Sequence, residues 1–179
     1  MKEMNSKIRM IATGGIIAAL YVALTFVSSA LGLTSGAGFT NLRLAECLCI
    51  IPIFTPAAIP GLFVGCILSN ILFGGGPIDV IFGSLATLAG AIGTYMLRKN
   101  RYLAVAPPIL SNTIIMPFVF MSITTNEVSS SSYTIEASTV PQQSFLFYLG
   151  STFVSEFIMV ALLGSLLYKG LEKYEDAFR

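Results

Sequence analysis

Apolar residues in this chain fall into blocks separated by short polar breaks, and the blocks predict helices. The first block, residues 10–29, follows the polar leader "MKEMNSKIR". A second, at 43–54, is short and stops before Pro56. A third starts near Pro60 and reaches Phe73, where "GGGP" breaks it. The fourth spans 78–97 and the fifth 103–121, the latter with Pro107, Pro108 and Pro117 expected to bend it. The sixth spans 145–167. A helix needs roughly 20 apolar residues to cross a bilayer, so the second and third blocks are too short to stand upright and are compatible with one broken hairpin. The prediction is an all-α protein with six transmembrane helices in one domain.

Composition agrees with the pattern. The 179 residues are 55% hydrophobic and 11% charged, with a mean hydropathy of +0.82; soluble domains carry about 25% charged residues. The first block shows no convincing cleavage site, so it reads as a retained span. A net charge of +1 with no basic cluster beyond three residues gives nucleic acid no foothold.

Charge placement orients the six spans. Lys2, Lys7 and Arg9 precede the first; Arg98, Lys99 and Arg101 separate the fourth from the fifth; Lys169, Lys173 and Arg179 follow the sixth. All fall on one side, which the positive-inside rule makes cytoplasmic, termini included. Arg43 alone departs. The opposite side receives residues 30–42, the "GGGP" turn and the Ser/Thr-rich segment 122–144, which holds Glu127 and Glu136 but no basic residue. That segment reads either as a solvated connector or as a lid over an outward-facing site.

The polar residues inside the spans are the candidate chemistry. Arg43 and Glu46 sit three apart, so on a helix they share a face. Asn70 lies near the outer end of the third span and Asp79 opens the fourth at the same level. Asn112 is mid-way along the fifth. Tyr148, Ser151, Thr152, Ser155 and Glu156 recur at helical spacing in the sixth, which puts Glu156 roughly 16 Å deep. Charges in a bilayer face a partner or a water-filled cavity, and one outward-open pocket would hold them all. Arg43 and Glu46 pairing only with each other is the plainer alternative, as is Asp79 serving as a helix-terminus residue. Glu156 has no Lys or Arg at its depth; it needs a ligand, a proton or Arg43 reaching down.

Several chemistries drop out. The chain has no histidine, and Cys47, Cys49 and Cys66 lack a CxxC spacing, which argues against zinc or haem. "FGGGPID" has no lysine to reach a phosphate. Without Ser–His or Cys–His pairs, the common nucleophilic enzymes are excluded. Span one carries Gly15, Ala19 and Ala23 four apart, a small-residue stripe that lets helices approach closely. Its partner is either the protein's own helices or another membrane subunit.

Residues 42–92 resemble the QueT family of substrate-binding S components of energy-coupling factor (ECF) transporters. "R-x-x-E", "FTPAAIPGLFVGC" and "DVIFGSLATL" carry the likeness, which weakens after residue 105. The resemblance implies six helices, cytoplasmic termini and docking through the alanine stripe onto a transmembrane scaffold. Two cytoplasmic ATPases would then use the ATP, with no cofactor in this chain. It further implies a queuosine precursor as substrate, a 7-deazaguanine such as the aminomethyl form, or queuine. A carboxylate can accept both the N1–H and the exocyclic amine of such a base, and an Asn amide can address its carbonyl. The candidate substrate residues are Glu156, Asp79, Glu46, Arg43, Asn70, Asn112, Tyr148 and Thr152; Arg43 is alternatively a support for Glu46. A proton-coupled secondary carrier, an S component for another vitamin, and a membrane enzyme or assembly factor are the competing readings.

Overall fold

A computed structural model describes residues 2–34, 42–73, 76–130 and 145–173. Among these residues the chain is all helical, in six segments. They are Lys2–Ala30, Leu44–Ile53, Ala58–Leu72, Asp79–Met96, Ala106–Ser130 and Phe145–Glu172. We number them first to sixth. Lys7–Ala30, Asp79–Met96 and Phe145–Glu172 are long and apolar enough to cross a membrane; Leu44–Ile53, Ala58–Leu72 and Ala106–Val119 are shorter apolar helices. The protein is an all-α membrane protein.

The second segment is a 3-10 helix rather than an α-helix. Pro52 lies inside it and Pro56 follows, and neither can donate a backbone hydrogen bond. The segment is the hub of the fold, packing against the first, third, fourth and sixth helices. Ala45, Leu48, Cys49, Ile50 and Ile51 on it are all buried. Around this hub the first helix packs on the third, the third on the fourth, the fourth on the fifth and the fifth on the sixth.

Close packing of the first and third helices rests on small residues. A side chain at Gly61 would sit 2.6 Å from the Gly14 carbonyl oxygen, and one at Gly65 would sit 3.1 Å from Ala18 and 2.8 Å from Tyr21. Gly14 and Ala18 are therefore the inward small residues of the first helix. The fourth helix meets the fifth in the same way, with Gly93 against Pro107 and Gly90 against Pro108.

Two expectations for the fifth helix need correction. Pro107 and Pro108 do not bend it; they lie in its first turn, where a missing N–H costs nothing. Only Pro117 is interior. The helix also continues to Ser130, so the first part of the expected outer loop 122–144 is helical. Hydropathy marks where apolar character stops, whereas helix needs only the absence of breakers, and no Gly or Pro occurs from Phe118 to Ser130. The remainder of that segment lies outside the described residues.

Contacts identify the two ends of the bundle. Ala57 meets Gly14, Phe54 stacks on Tyr168 with ring centroids 5.1 Å apart, and Arg101 lies over the Tyr168 ring. That end collects Arg9, Arg98, Lys99, Arg101, Lys169 and Lys173. At the other end Ser28 accepts a hydrogen bond from Leu44 N (2.8 Å), Phe26 meets Phe73 and Phe118 meets Phe145. Arg43 stands there.

Candidate functional site

Arg43 precedes the 3-10 helix with extended backbone (φ −93°, ψ 106°). This conformation turns its side chain away from Glu46 and toward the third and fourth helices. Its guanidinium fork donates to Asn70 Oδ1 and Asp79 Oδ2, each at 3.0 Å. Asn70 completes the triangle by donating through Nδ2 to the Asp79 carbonyl at 3.1 Å. Arg43 and Glu46 do not pair, so neither the mutual ion pair nor a support of Glu46 by Arg43 describes the arrangement. The three residues form a latch joining the starts of the second and fourth segments to the end of the third.

Glu46 is one 3-10 turn deeper and buried. Tyr21 donates its hydroxyl to Glu46 Oε1 at 2.6 Å, while the Cys49 thiol donates to Oε2 at 3.2 Å. The amide of Asn112 bridges two acids, donating to Glu46 Oε2 at 3.4 Å and to Glu156 Oε1 at 2.9 Å. Two buried carboxylates thus face one another across one amide. Such an arrangement is costly to maintain in hydrocarbon unless a cation, a proton or a donor-rich ligand shares it. Glu156 Oε2 and Asp79 Oδ1 are buried with no hydrogen-bond partner among the described residues.

Both of these acids stand at changes of helical winding. The fourth helix opens as π-helix over Asp79–Gly83, and the sixth turns π over Phe157–Gly164, directly after Glu156. Wide turns of this kind are a frequent device at functional sites. Gly83 is required by the crowding: a Cβ there would lie 2.8 Å from Asp79 Oδ1 and 3.4 Å from Asn70 Nδ2.

Glu46 and Glu156 flank a cavity of about 20 Å³, lined also by Arg43, Gly83, Thr87, Asn112, Met116, Thr152 and Ser155. That volume admits about one water. Of the eight expected substrate residues, Arg43, Glu46, Asn112, Thr152 and Glu156 line it. Asp79 and Asn70 stand behind Arg43 and hold it. Tyr148, one turn along the helix from Thr152, is not among the lining residues; its ring meets Phe147 edge-on at 6.1 Å. Among the described residues no cluster of three His, Cys, Asp or Glu side chains is arranged to hold a metal ion.

Sequence reasoning missed Tyr21, Gly83, Thr87 and Met116. Tyr21 was legible only as an aromatic in an apolar run, which does not distinguish a lipid-facing ring from a buried donor. Tyr21 reaches Glu46 from the first helix without itself lining the cavity. Gly15, Ala19 and Ala23 are all exposed, and nothing lies within 4 Å of where a Gly15 side chain would be. Their stripe points out of the bundle, opposite the Gly14 and Ala18 face.

No curated protein and no solved structure matches the chain. A family model does, the QueT transporter, over residues 11–173, which covers most of the first helical segment, the other five in full and every residue of the cavity. The chain belongs to the QueT transporter family and is a membrane transport protein.

Proposed function

We propose that this protein is the substrate-binding S component of an ECF-type importer, and that it takes up a queuosine precursor of the 7-deazaguanine class. One observation carries this reading: Glu46 and Glu156 present buried carboxylates to the same small cavity, with Asn112 between them. A guanine-like edge supplies two adjacent N–H donors for a carboxylate, and the Asn amide can rotate to meet a carbonyl. An aminomethyl group adds a cation to a site whose acids outnumber Arg43. Thr152 and Ser155 offer further hydroxyls on the same helix face. Family membership supports the transport role, and the basic end would face the cytoplasm under the positive-inside rule. The cavity then lies toward the outer face of the cell membrane.

In this reading the outward stripe of Gly15, Ala19 and Ala23 docks on the transmembrane scaffold. Two ATPases bound to that scaffold provide the energy.

Reconstituted uptake tests the whole reading. Proteoliposomes holding the chain alone should bind 7-aminomethyl-7-deazaguanine without accumulating it, and accumulation should require scaffold, ATPases and ATP. Accumulation by the chain alone on a proton gradient would make it a secondary carrier, with Glu156 the coupling acid. Tight binding of another vitamin and none of deazaguanines would keep the S-component role and change the substrate.

A further inference from the structure

A second, larger hollow of about 570 Å³ opens at the basic end, between the fifth and sixth helices. Its walls are apolar, with Ile109 on one side and Phe157, Ala161 and Leu162 on the other, and Ile50 at its floor. Its mouth is not. Arg101 and Tyr102, from the turn after the fourth helix, meet Tyr168 and Lys169 of the sixth. The Arg101 guanidinium lies 5.0 Å from the Tyr102 ring centroid and 5.9 Å from that of Tyr168, and donates to the Tyr102 hydroxyl at 3.1 Å. Glu172 also acts on Arg101, but Lys169 and Lys173 on the same helix leave the mouth net positive.

The dimensions point to one kind of occupant. Phe157 and Lys169 would be about 18 Å apart on an α-helix at 1.5 Å per residue. The wider π turns over Phe157–Gly164 shorten this, which brings the span close to one leaflet of a ~30 Å hydrocarbon core. Aromatic rings and cations at that depth mark the interface. A free phosphate would satisfy the mouth and leave an apolar slot empty. A zwitterionic lipid would fill the slot without neutralising the two cations. We propose that the slot binds an anionic phospholipid, its phosphate held by Arg101 and Lys169 and an acyl chain laid along Ile109, Ala161 and Leu162. This inference is independent of the substrate and of the ECF partners.

Native mass spectrometry of the purified full chain tests it, with phosphatidylglycerol or phosphatidylcholine of matched acyl chains as probe. The parent should retain phosphatidylglycerol at least tenfold better. Each basic residue at a membrane surface is worth about fivefold, so R101Q/K169Q should reduce the preference to about twofold or less. Both side chains are exposed, and the double variant should keep its melting midpoint. Ala161→Trp, which fills the slot, should lower retention of both lipids. Excess inorganic phosphate should leave retention in place.

Equal retention of the two lipids by the parent would overturn the proposal. So would an unchanged preference in R101Q/K169Q, or full displacement by inorganic phosphate. Retention that appears only after removal of residues 174–179 would make the chain's own tail the occupant.

Discussion

The Tyr21 hydroxyl lies 2.6 Å from Glu46 Oε1, so the first helix is fastened to the base of the polar cavity. Both residues are buried, so bulk water does not simply take the place of the donor if it is lost. Tyr21→Phe should therefore cost about 1–3 kcal/mol of stability, the penalty for a buried acceptor left short of a partner. A thermal melt in detergent measures it. Ligand affinity should fall as well, because Glu46 is then free to turn; an unchanged midpoint and affinity would show the bond to be incidental.

Glu156→Gln separates stability from binding. Glu156 Oε2 is buried without a partner among the described residues, so removing the charge should hold or raise the melting midpoint. Binding should move the other way. If the proposed base is held by Glu156, losing that charge-assisted bond should cost about 2 kcal/mol, some thirtyfold in affinity by calorimetry. A folded variant with parental affinity would remove Glu156 from the substrate site.

The latch can be tested by a double substitution. Arg43→Ala leaves Asp79 as a buried, unpaired acid and should destabilise by about 3–5 kcal/mol. R43A/D79N, which removes both charges, should be more stable than R43A alone. Arg43→Lys should rescue poorly, because one ammonium cannot reproduce a fork spanning Asn70 and Asp79. Additive effects of the two substitutions would mean that the pair is not coupled.

The two small faces of the first helix should behave differently. Gly61→Ala would drive a methyl to 2.6 Å from the Gly14 carbonyl and should lower the melting midpoint sharply. A19L/A23L changes only exposed positions and should leave the midpoint unchanged and ligand affinity within about threefold of the parent, under roughly 1 kcal/mol. In the proposed transporter the same variant should lose co-purification with the scaffold and ATP-driven uptake. Retained assembly would make the stripe a plain lipid-facing surface.

Orientation is accessible by cysteine labelling in a background without Cys47, Cys49 and Cys66. A cysteine replacing Ser130 should react with an impermeant reagent in whole cells, and one replacing Asn100 should not. The reverse pattern would place the polar cavity toward the cytoplasm.

How much of this was legible in sequence depends on the interaction range. The polar residues Arg43, Asn70 and Asp79 were recognisable as one level of the bundle, because depth follows from position along each span. Their pairing was not. Spacing of three made Glu46 the natural partner of Arg43, but Arg43 lies before the helix in extended backbone, and its fork reaches residues 27 and 36 positions away. The 3-10 winding of the second segment was equally hidden, since an apolar run carries no period that distinguishes three residues per turn from 3.6. Tyr21 was invisible for the reason that makes it useful: it is an apolar ring with a polar tip.

The cavity among Glu46, Asn112 and Glu156 holds about one water, and a bicyclic base is far larger. Any such ligand entering there does so at the rate at which the helices part, well below the encounter limit. If parting precedes capture, the observed association rate levels off as ligand concentration rises. The measured dissociation constant then also includes the small fraction of time that the site stands open. Re-closure over such a ligand would slow its escape as well, so long residence and slow capture would both follow from one tightly packed interior.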